Sequence, residues 1–371
     1  ESLTFMARLV EGANDPQELI LDVDNEQSRN RIKGLSLTSK PDVIPPRTLT
    51  VETLDFDRNL FSLRKDKRGN IPPVSPSRFE KMLVSPLAWL LSDLRAEPIP
   101  WAPEEMDAMV QGTLAHAVFE NLFLPDADLP PEGDIPERVE ALLVEAIKKR
   151  MPLLQTAAWH VEKNKLRQDI VEAAFNWLKI LQTFDARIMG NETHLRGTFS
   201  RLPVHGYVDT VIALPNGRLY VVDFKKSKSA GRHSQMEKGY DSQASLYRKM
   251  LETGGPVDFP SEALVSALET ADEIGVLYFM MNDGIALADT GNWGEGRILG
   301  LRELGNDVSV EALDLLKKRI KALRKGTVLL NHENDGERIE KETGLKPYAL
   351  GDSPLILLYA YSDESDAGGL I

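Results

Sequence analysis

Residues 206–229, GYVDTVIALPNGRLYVVDFKKSKS, decide the fold that we expect for this chain. Residues 206–214 and 218–224 are apolar runs rich in β-branched residues, which predict two strands. The tripeptide Pro-Asn-Gly at 215–217 predicts a short hairpin loop between them. A loop closing about its central residue places Asp209 opposite Asp223, with Lys225 on the same face.

Two carboxylates facing each other among buried valines and isoleucines destabilise a hairpin unless something offsets their charge. A divalent cation does so, and Mg²⁺ typically binds one or two carboxylates together with water and substrate phosphate. Lys225 could hold an attacking water or offset charge on a phosphoryl group. The alternative is a hairpin with two surface acids and a neighbouring lysine.

Composition sets broad limits on the function. The chain has 371 residues, of which 42% are hydrophobic and 27% charged, as is usual for a globular protein that can hold two or three domains. The absence of cysteine excludes disulfides, thiolate zinc sites and cysteine nucleophiles. No apolar run reaches the roughly 20 residues that span a bilayer, so we expect a cytoplasmic protein without membrane partners.

The net charge of −13 argues against a surface that binds nucleic acid everywhere, but it leaves room for a local basic groove. The stretch after Phe224 is such a candidate, because a phosphodiester substrate requires positive charge beside the acids. Its basic residues are Lys225, Lys226, Lys228, Arg232 and Lys238, against the single acid Glu237. We predict a polar basic loop here, and a plain solvated loop is the alternative.

Helical periodicity predicts two helices that flank the hairpin in sequence. In the first, residues 104–124, His116 and Glu120 lie four residues apart on one face. In the second, residues 235–252, Tyr240, Gln243 and Tyr247 share a face. Taken alone, a histidine or tyrosine at such a position is as well explained by packing.

Together these motifs resemble the PD-(D/E)xK nuclease superfamily, and within it the RecB/AddB-like branch. That branch combines an acid, a DxK strand end, an upstream GTxxH helix and a downstream QxxxY helix. Here these are Asp209, Asp223 with Lys225, Gly112-Thr113 with His116, and Gln243 with Tyr247.

The resemblance implies an α/β fold with a restriction-endonuclease-like core, in which helices flank a mixed central sheet, and a helical insertion. It implies Mg²⁺ or Mn²⁺ bound by His116, Asp209, Asp223 and the backbone carbonyl of Phe224, with Glu120 close by. It also implies that Lys225 positions the attacking water, and that Gln243 and Tyr247 orient the substrate. Lys226, Lys228 and Arg232 are the candidates for contact with DNA.

Some members of this branch carry an iron–sulfur cluster whose first ligand is a cysteine before a proline. Here Ser85 precedes Pro86, and the tail around GLKPYALGDS has no cysteine either. The chain therefore resembles a cluster-free member, and we expect apolar packing through Trp89 and Leu90 to hold the two ends together.

The expected organisation has three parts. Residues 1–70 form an N-terminal extension or the tail of a preceding domain, 71–330 the nuclease domain with an insertion at about 126–190, and 331–371 a C-terminal tail. The insertion is predicted to hold helices at 137–151 and 157–189, whose Trp159 and Trp177 pack on the core or stack on bases. Strands resume at Thr193. Because Glu1 is not an initiator methionine, we expect a processed chain or part of a longer one.

The function implied is that of a metal-dependent DNA nuclease, an exonuclease of DNA repair and recombination in a helicase–nuclease system. No P-loop motif is present, so a helicase motor would be a separate domain or subunit. One alternative is a catalytically inactive DNA-binding or scaffolding module of such a complex. Another is a hydrolase that acts on a different phosphodiester or a glycosidic bond through paired carboxylates.

Overall fold

A computed structural model of the chain describes residues 49–96, 106–258, 260–289, 300–350, 355–356 and 359–362. The start of the expected N-terminal extension, residues 1–48, and much of the C-terminal tail lie outside these ranges. The compact unit that holds the described residues begins at Thr48. Strand β1 (Thr53–Asp55) and the buried side chains of Leu60 and Phe61 belong to it.

The described chain contains ten α-helices. They are α1 (Pro76–Val84), α2 (Pro86–Asp93), α3 (Ala108–Leu122), α4 (Ile135–Arg150), α5 (His160–Thr183), α6 (Ser229–Glu237), α7 (Ser242–Thr253), α8 (Glu262–Thr270), α9 (Val310–Lys325) and α10 (Asp335–Thr343). No helix in these ranges is long and apolar enough to cross a bilayer.

The remaining strands are β2 (Arg187–Phe199), β3 (Leu202–Ala213), β4 (Arg218–Lys225), β5 (Gly255–Pro256), β6 (Glu273–Met280), β7 (Ile285–Ala288), β8 (Leu301–Glu303) and β9 (Thr327–Leu329). Seven of them form one sheet in the order β5-β2-β3-β4-β6-β7-β8, and β1 pairs with β9. Strands β2, β3 and β4 are antiparallel, whereas β4 and β6 are parallel. The expected mixed sheet is confirmed.

Helices cover both faces of this sheet. One apolar layer contains Phe79, Trp89 and Met250 from α1, α2 and α7, and the other contains Phe119 and Trp177 from α3 and α5. The Trp177 ring lies 5.0 Å from Phe279 and 5.4 Å from Phe224, measured between ring centroids. Trp177 therefore packs the helical segment onto the sheet, as the packing interpretation predicts.

The central hairpin has the predicted register. Thr210 pairs with Val222 and Ala213 with Leu219, and the loop turns at Gly217 with φ +81°. A positive φ favours glycine, which explains the residue at this position.

Two helical segments, one of them the predicted helix at 235–252, are each split in two. The segment around residues 75–94 breaks at Ser85, because Pro86 has no N–H to continue the ladder, and Ser85 then caps α2 by accepting from Ala88 N–H. Residues 235–252 break at Gly239, whose φ is +75°. Consequently Tyr240 lies outside α7, and residues 229–237 of the expected basic loop are helical.

The end of α5 also differs from the prediction. The helix stops at Thr183 rather than at residue 189, because Asp185 takes a left-handed conformation with φ +48°. Strand β2 then begins at Arg187, six residues before the predicted start.

The first and last parts of the described domain are joined by a buried polar contact as well as by apolar packing. The Ser85 hydroxyl donates to Asn331 Oδ1, and Asn331 Nδ2 lies 3.1 Å from Asp335 Oδ2. Trp89 and Leu90 are buried nearby in the same layer, as expected.

Candidate metal centre and active site

The candidate site lies where β3 and β4 diverge. Their pairing ends at Thr210 and Val222, and the next residue back on β3, Asp209, turns its carboxylate to the β4 backbone. Asp209 Oδ2 accepts a hydrogen bond of 2.5 Å from Phe224 N–H. The fork between the strands thus fixes one carboxylate oxygen and leaves the other available.

The second oxygen of Asp209 belongs to a group of three residues that could hold a metal ion. His116 Nδ1 on α3 lies 3.1 Å from Asp209 Oδ1. One ligand atom each from His116, Glu192 and Asp209 lies within 4.8 Å of the others. The side chains of His116 and Asp209 are 28% and 13% exposed, so solvent reaches the group.

Sequence reasoning missed Glu192. It lies on β2 between Asn191, which pairs with Thr210, and Thr193, which pairs with Val208, and so directly across from Asp209. Its φ of +45° is unusual for a non-glycine residue, and such strain concentrates at functional sites. The available signal was an acid just before the predicted strand start at Thr193, but its partner could be found only once the β2–β3 register was known.

The electrostatics of this group favour a cation. Partial desolvation and the negative charges of Asp209 and Glu120 raise the pKa of Glu192. Burial lowers the pKa of His116, but the hydrogen bond and charge of Asp209 outweigh burial, so that the net shift is upward. Two carboxylates and an imidazole are a donor set that suits Mn²⁺, and the carboxylates also suit Mg²⁺, so the residues fit a divalent ion.

Asp223 occupies a separate, buried position on β4, 4% exposed. Lys225 Nζ lies 2.6 Å from Asp223 Oδ2. Burial raises the pKa of Asp223, Lys225 opposes this, and Asp209 adds to it. The expected acid–lysine arrangement is therefore present, with the lysine directly paired to the acid.

Helix α7 supplies the partners of the other Asp223 oxygen. Gln243 Nε2 donates to Asp223 Oδ1 at 2.6 Å, and the Tyr247 hydroxyl lies 3.4 Å from the same oxygen. The hydroxyl also donates to the carbonyl of Tyr207 at 3.1 Å. Gln243 and Tyr247 thus reach the predicted site, where they contact the acid.

Glu120 lies one turn beyond His116, outside the three-residue group. Its Oε2 is 3.5 Å from Arg150 Nη2, and its carbonyl accepts from Asn191 Nδ2 at 2.9 Å. Glu120 therefore contributes negative charge near the group and ties α3 to β2.

Three basic residues are candidates for contact with DNA, and the side chains of two of them are largely buried rather than exposed as expected. Lys226 Nζ lies 3.0 Å from Asp169 Oδ2, with its side chain 3% exposed. Arg232, 12% exposed, pairs with Asp241 at 3.2 Å and lies over the Tyr278 ring. Both charges are paired inside the protein, and contact of Lys226 and Arg232 with DNA stays a prediction. Lys228 is exposed and stays a candidate.

One family of known proteins matches the chain. The model of the PD-(D/E)XK nuclease superfamily matches residues 73–336, a range that includes every residue of the site described above. No curated protein matches the chain.

Proposed function

The chain belongs to the PD-(D/E)XK nuclease superfamily, and we propose that it is a metal-dependent deoxyribonuclease of the RecB/AddB-like branch. We propose further that it is an exonuclease of DNA repair and recombination that works with a helicase motor. The placement of the GTxxH and QxxxY residues supports the branch, since His116 contacts Asp209 while Gln243 and Tyr247 contact Asp223.

The observation that carries the proposal is the convergence of His116, Glu192 and Asp209 beside the Asp223–Lys225 pair. We assign these three side chains as ligands of Mg²⁺ or Mn²⁺, with Asp223 and the Phe224 carbonyl as further candidates. A bound divalent ion supplies Lewis-acid polarisation of the phosphate and lowers the pKa of bound water.

The protein's own groups have distinct proposed roles. Lys225, held by Asp223 and 28% exposed, presents a positive charge that orients a water molecule and offsets charge at phosphorus. Gln243 holds Asp223 in place through its Oδ1, and Tyr247 lies against the same oxygen while its hydroxyl donates to the Tyr207 carbonyl. The N–H of Phe224 holds Asp209.

The presence of all these side chains in one arrangement argues for an active enzyme rather than a scaffolding module. A module that only binds DNA does not need a lysine paired with a buried acid next to a partly exposed group of carboxylates. Burying such charges costs free energy that folding alone does not require.

The test is digestion of end-labelled linear DNA and closed circular DNA across a titration of Mg²⁺ and Mn²⁺. We expect metal-dependent release of nucleotides from linear DNA and no cutting of circles. Asp209→Asn and Lys225→Ala should each lower the rate by about 100-fold or more, the usual effect of removing one electrostatic contributor.

Asp314→Asn and Lys318→Ala on α9 are matched controls, because both residues are exposed on a helix that supplies no residue of the site. Digestion by Asp209→Asn and Lys225→Ala at the parent rate would refute the assignment of the site. Cutting of circular DNA would refute exonuclease action and leave the nuclease assignment in place.

A further inference from the structure

An aromatic pair lies next to the candidate metal centre on the β2–β3 ribbon. Along β3, Asp209, Tyr207 and His205 alternate with the buried residues Val208 and Gly206, so the three project from one face. Tyr207 is directly across from His194 on β2. Two residues of a strand span about 7 Å, which is the distance along β3 from Asp209 to this pair.

The two rings of the pair are stacked. Their centroids lie 4.4 Å apart and their planes differ by 12°. His194 is 7% exposed, whereas Tyr207 is 52% exposed. The imidazole therefore supports the tyrosine ring from within the protein, and much of the tyrosine faces solvent.

His194 is held in this position by its neighbours. Its Nδ1 lies 2.5 Å from Asp258 Oδ2, and its carbonyl accepts from Val257 N–H at 2.8 Å. The hydrogen bond from His194 lowers the pKa of Asp258. A ring fixed in this way gives a preorganised surface, which binds a flat ligand with little loss of conformational entropy.

The pair is also linked to the proposed reaction site. The Tyr207 carbonyl accepts from the Tyr247 hydroxyl, which contacts Asp223. Next to the pair, the exposed Arg196 lies across from His205. A flat aromatic surface beside a positive charge suits one nucleotide, with its base on the ring and its phosphate near the guanidinium.

We propose that Tyr207, backed by His194, stacks an unpaired base of the substrate strand next to the scissile phosphate. This rests on the proposed nuclease function and adds a substrate class, because a base that stacks on a side chain must be out of the duplex. The substrate at this position is a single strand or a frayed end. Stacking is tolerant of sequence, so all four bases should be accepted.

The test measures binding of a labelled single-stranded oligonucleotide in EDTA, where no metal-dependent cleavage takes place. The proteins are the parent, Tyr207→Ala, Tyr207→Phe and the control Tyr359→Ala, an exposed tyrosine of the C-terminal segment. Tyr207→Ala should weaken binding by about 10- to 100-fold, the loss of one base–aromatic stack, while Tyr207→Phe and Tyr359→Ala bind as the parent does.

A second oligonucleotide series carries one abasic position, moved along the strand. At one position the missing base should weaken binding to the parent, whereas Tyr207→Ala should bind the abasic and the intact strand equally tightly. We call this dependence of the abasic effect on Tyr207 the coupling. This coupling would not arise if Tyr207 only supported the fold. The proposal is overturned if the parent does not bind the strand, if Tyr207→Ala binds normally, or if the abasic penalty persists in Tyr207→Ala.

Adding Mg²⁺ or Mn²⁺ to the same samples separates the two proposals. Coupling in EDTA without cleavage after metal addition would refute the nuclease function and leave the stacking site standing. Cleavage without coupling would refute the stacking site alone.

Discussion

At the scale of single residues, the site is defined by negative charge that the protein does not fully neutralise. Asp209 has one oxygen fixed by Phe224 N–H and the other next to His116 and Glu192. Partial desolvation and the negative charges of Asp209 and Glu120 raise the pKa of Glu192, which is a second sign that these carboxylates repel one another. A bound cation converts this unfavourable arrangement into a favourable one.

Glu192→Gln should therefore have opposite effects on thermal stability with and without metal. Without metal, the unfolding midpoint should rise, because one of the crowded charges is removed. With Mn²⁺, the variant should need at least about 10-fold more metal for a given rise in the midpoint, since even outer groups of metal sites have effects of that size.

Scanning calorimetry over a Mn²⁺ series measures both effects, and Glu262→Gln on α8 is a control outside the site. An unchanged response of Glu192→Gln to Mn²⁺ would remove Glu192 from the ligand set.

Gln243→Leu should reduce activity more than Tyr247→Phe. The glutamine bond to Asp223 Oδ1 is 2.6 Å long, whereas the tyrosine hydroxyl is 3.4 Å from the same atom. A hydrogen bond to a charged group contributes about 1.5–3 kcal/mol, so Gln243→Leu should lower kcat/KM by about 10- to 100-fold. Initial rates with circular dichroism as a fold control test this order, and the reverse order would contradict the assigned roles.

At the scale of elements, close contact between α7 and the β2–β3 ribbon positions the site. A Cβ at Gly206 would lie 2.9 Å from Tyr247 Cε1, so β3 needs glycine at this position for the tyrosine to fit. By contrast, a Cβ at Gly112 on α3 would meet no atom within 4 Å. Close packing therefore requires glycine at position 206, whereas no such contact requires glycine at position 112.

Gly206→Ala should displace the Tyr247 ring, lower the free energy of unfolding by about 1–3 kcal/mol and reduce activity. Gly112→Ala is the matched control, and it should raise stability by about 0.5–1 kcal/mol because alanine is the better helix former. Urea unfolding measures both changes. Equal stability of the two variants would contradict the packing described for α7.

Elements also show what the sequence could and could not predict. The β3–β4 hairpin was predictable with its register, because Pro215-Asn216-Gly217 is a strong turn signal between two β-branched runs. The β2–β3 hairpin was not, because its turn uses Ser200 and Arg201 with φ +49° and +60°, where Asn-Gly is the usual pair. Without that turn the pairing of Glu192 with Asp209 could not be inferred.

The basic stretch shows a second limit of sequence reasoning. Charge alone predicts exposure, but Lys226 and Arg232 have acidic partners, Asp169 and Asp241, and Asp169 is distant in sequence. Such tertiary ion pairs have no local signal. The motif residues His116, Gln243 and Tyr247 were singled out through the resemblance to the RecB/AddB-like branch, because their helical spacing alone is as well explained by packing.

At the scale of the whole molecule, two helical layers enclose the sheet. In one layer, a buried contact joins two segments that are distant in sequence. Ser85, at the start of α2, and Asn331, after β9, are joined by a buried hydrogen bond. The chain has no cysteine, so thiolate ligands cannot provide this link. The polar contact, together with packing around Trp89, connects the first and last described parts of the domain.

Ser85→Ala should lower the free energy of unfolding by about 1–3 kcal/mol, because it leaves the buried amide oxygen of Asn331 without its donor and removes the cap of α2. Ser85→Thr, which keeps the hydroxyl, should lose less. Urea unfolding of the two variants measures the difference, and an equal loss would show that the hydroxyl contact contributes nothing.

Electron paramagnetic resonance of Mn²⁺ reports whether a metal ion binds at the fork between β3 and β4, as we propose. Titration of the metal-free protein should show a Mn²⁺ site whose affinity falls by about 100-fold or more in Asp209→Asn, the charge-removing change at the shared ligand. The control Asp314→Asn should bind as the parent does. If Asp209→Asn binds Mn²⁺ as tightly as the parent does, Asp209 is not a metal ligand and the proposed site is wrong.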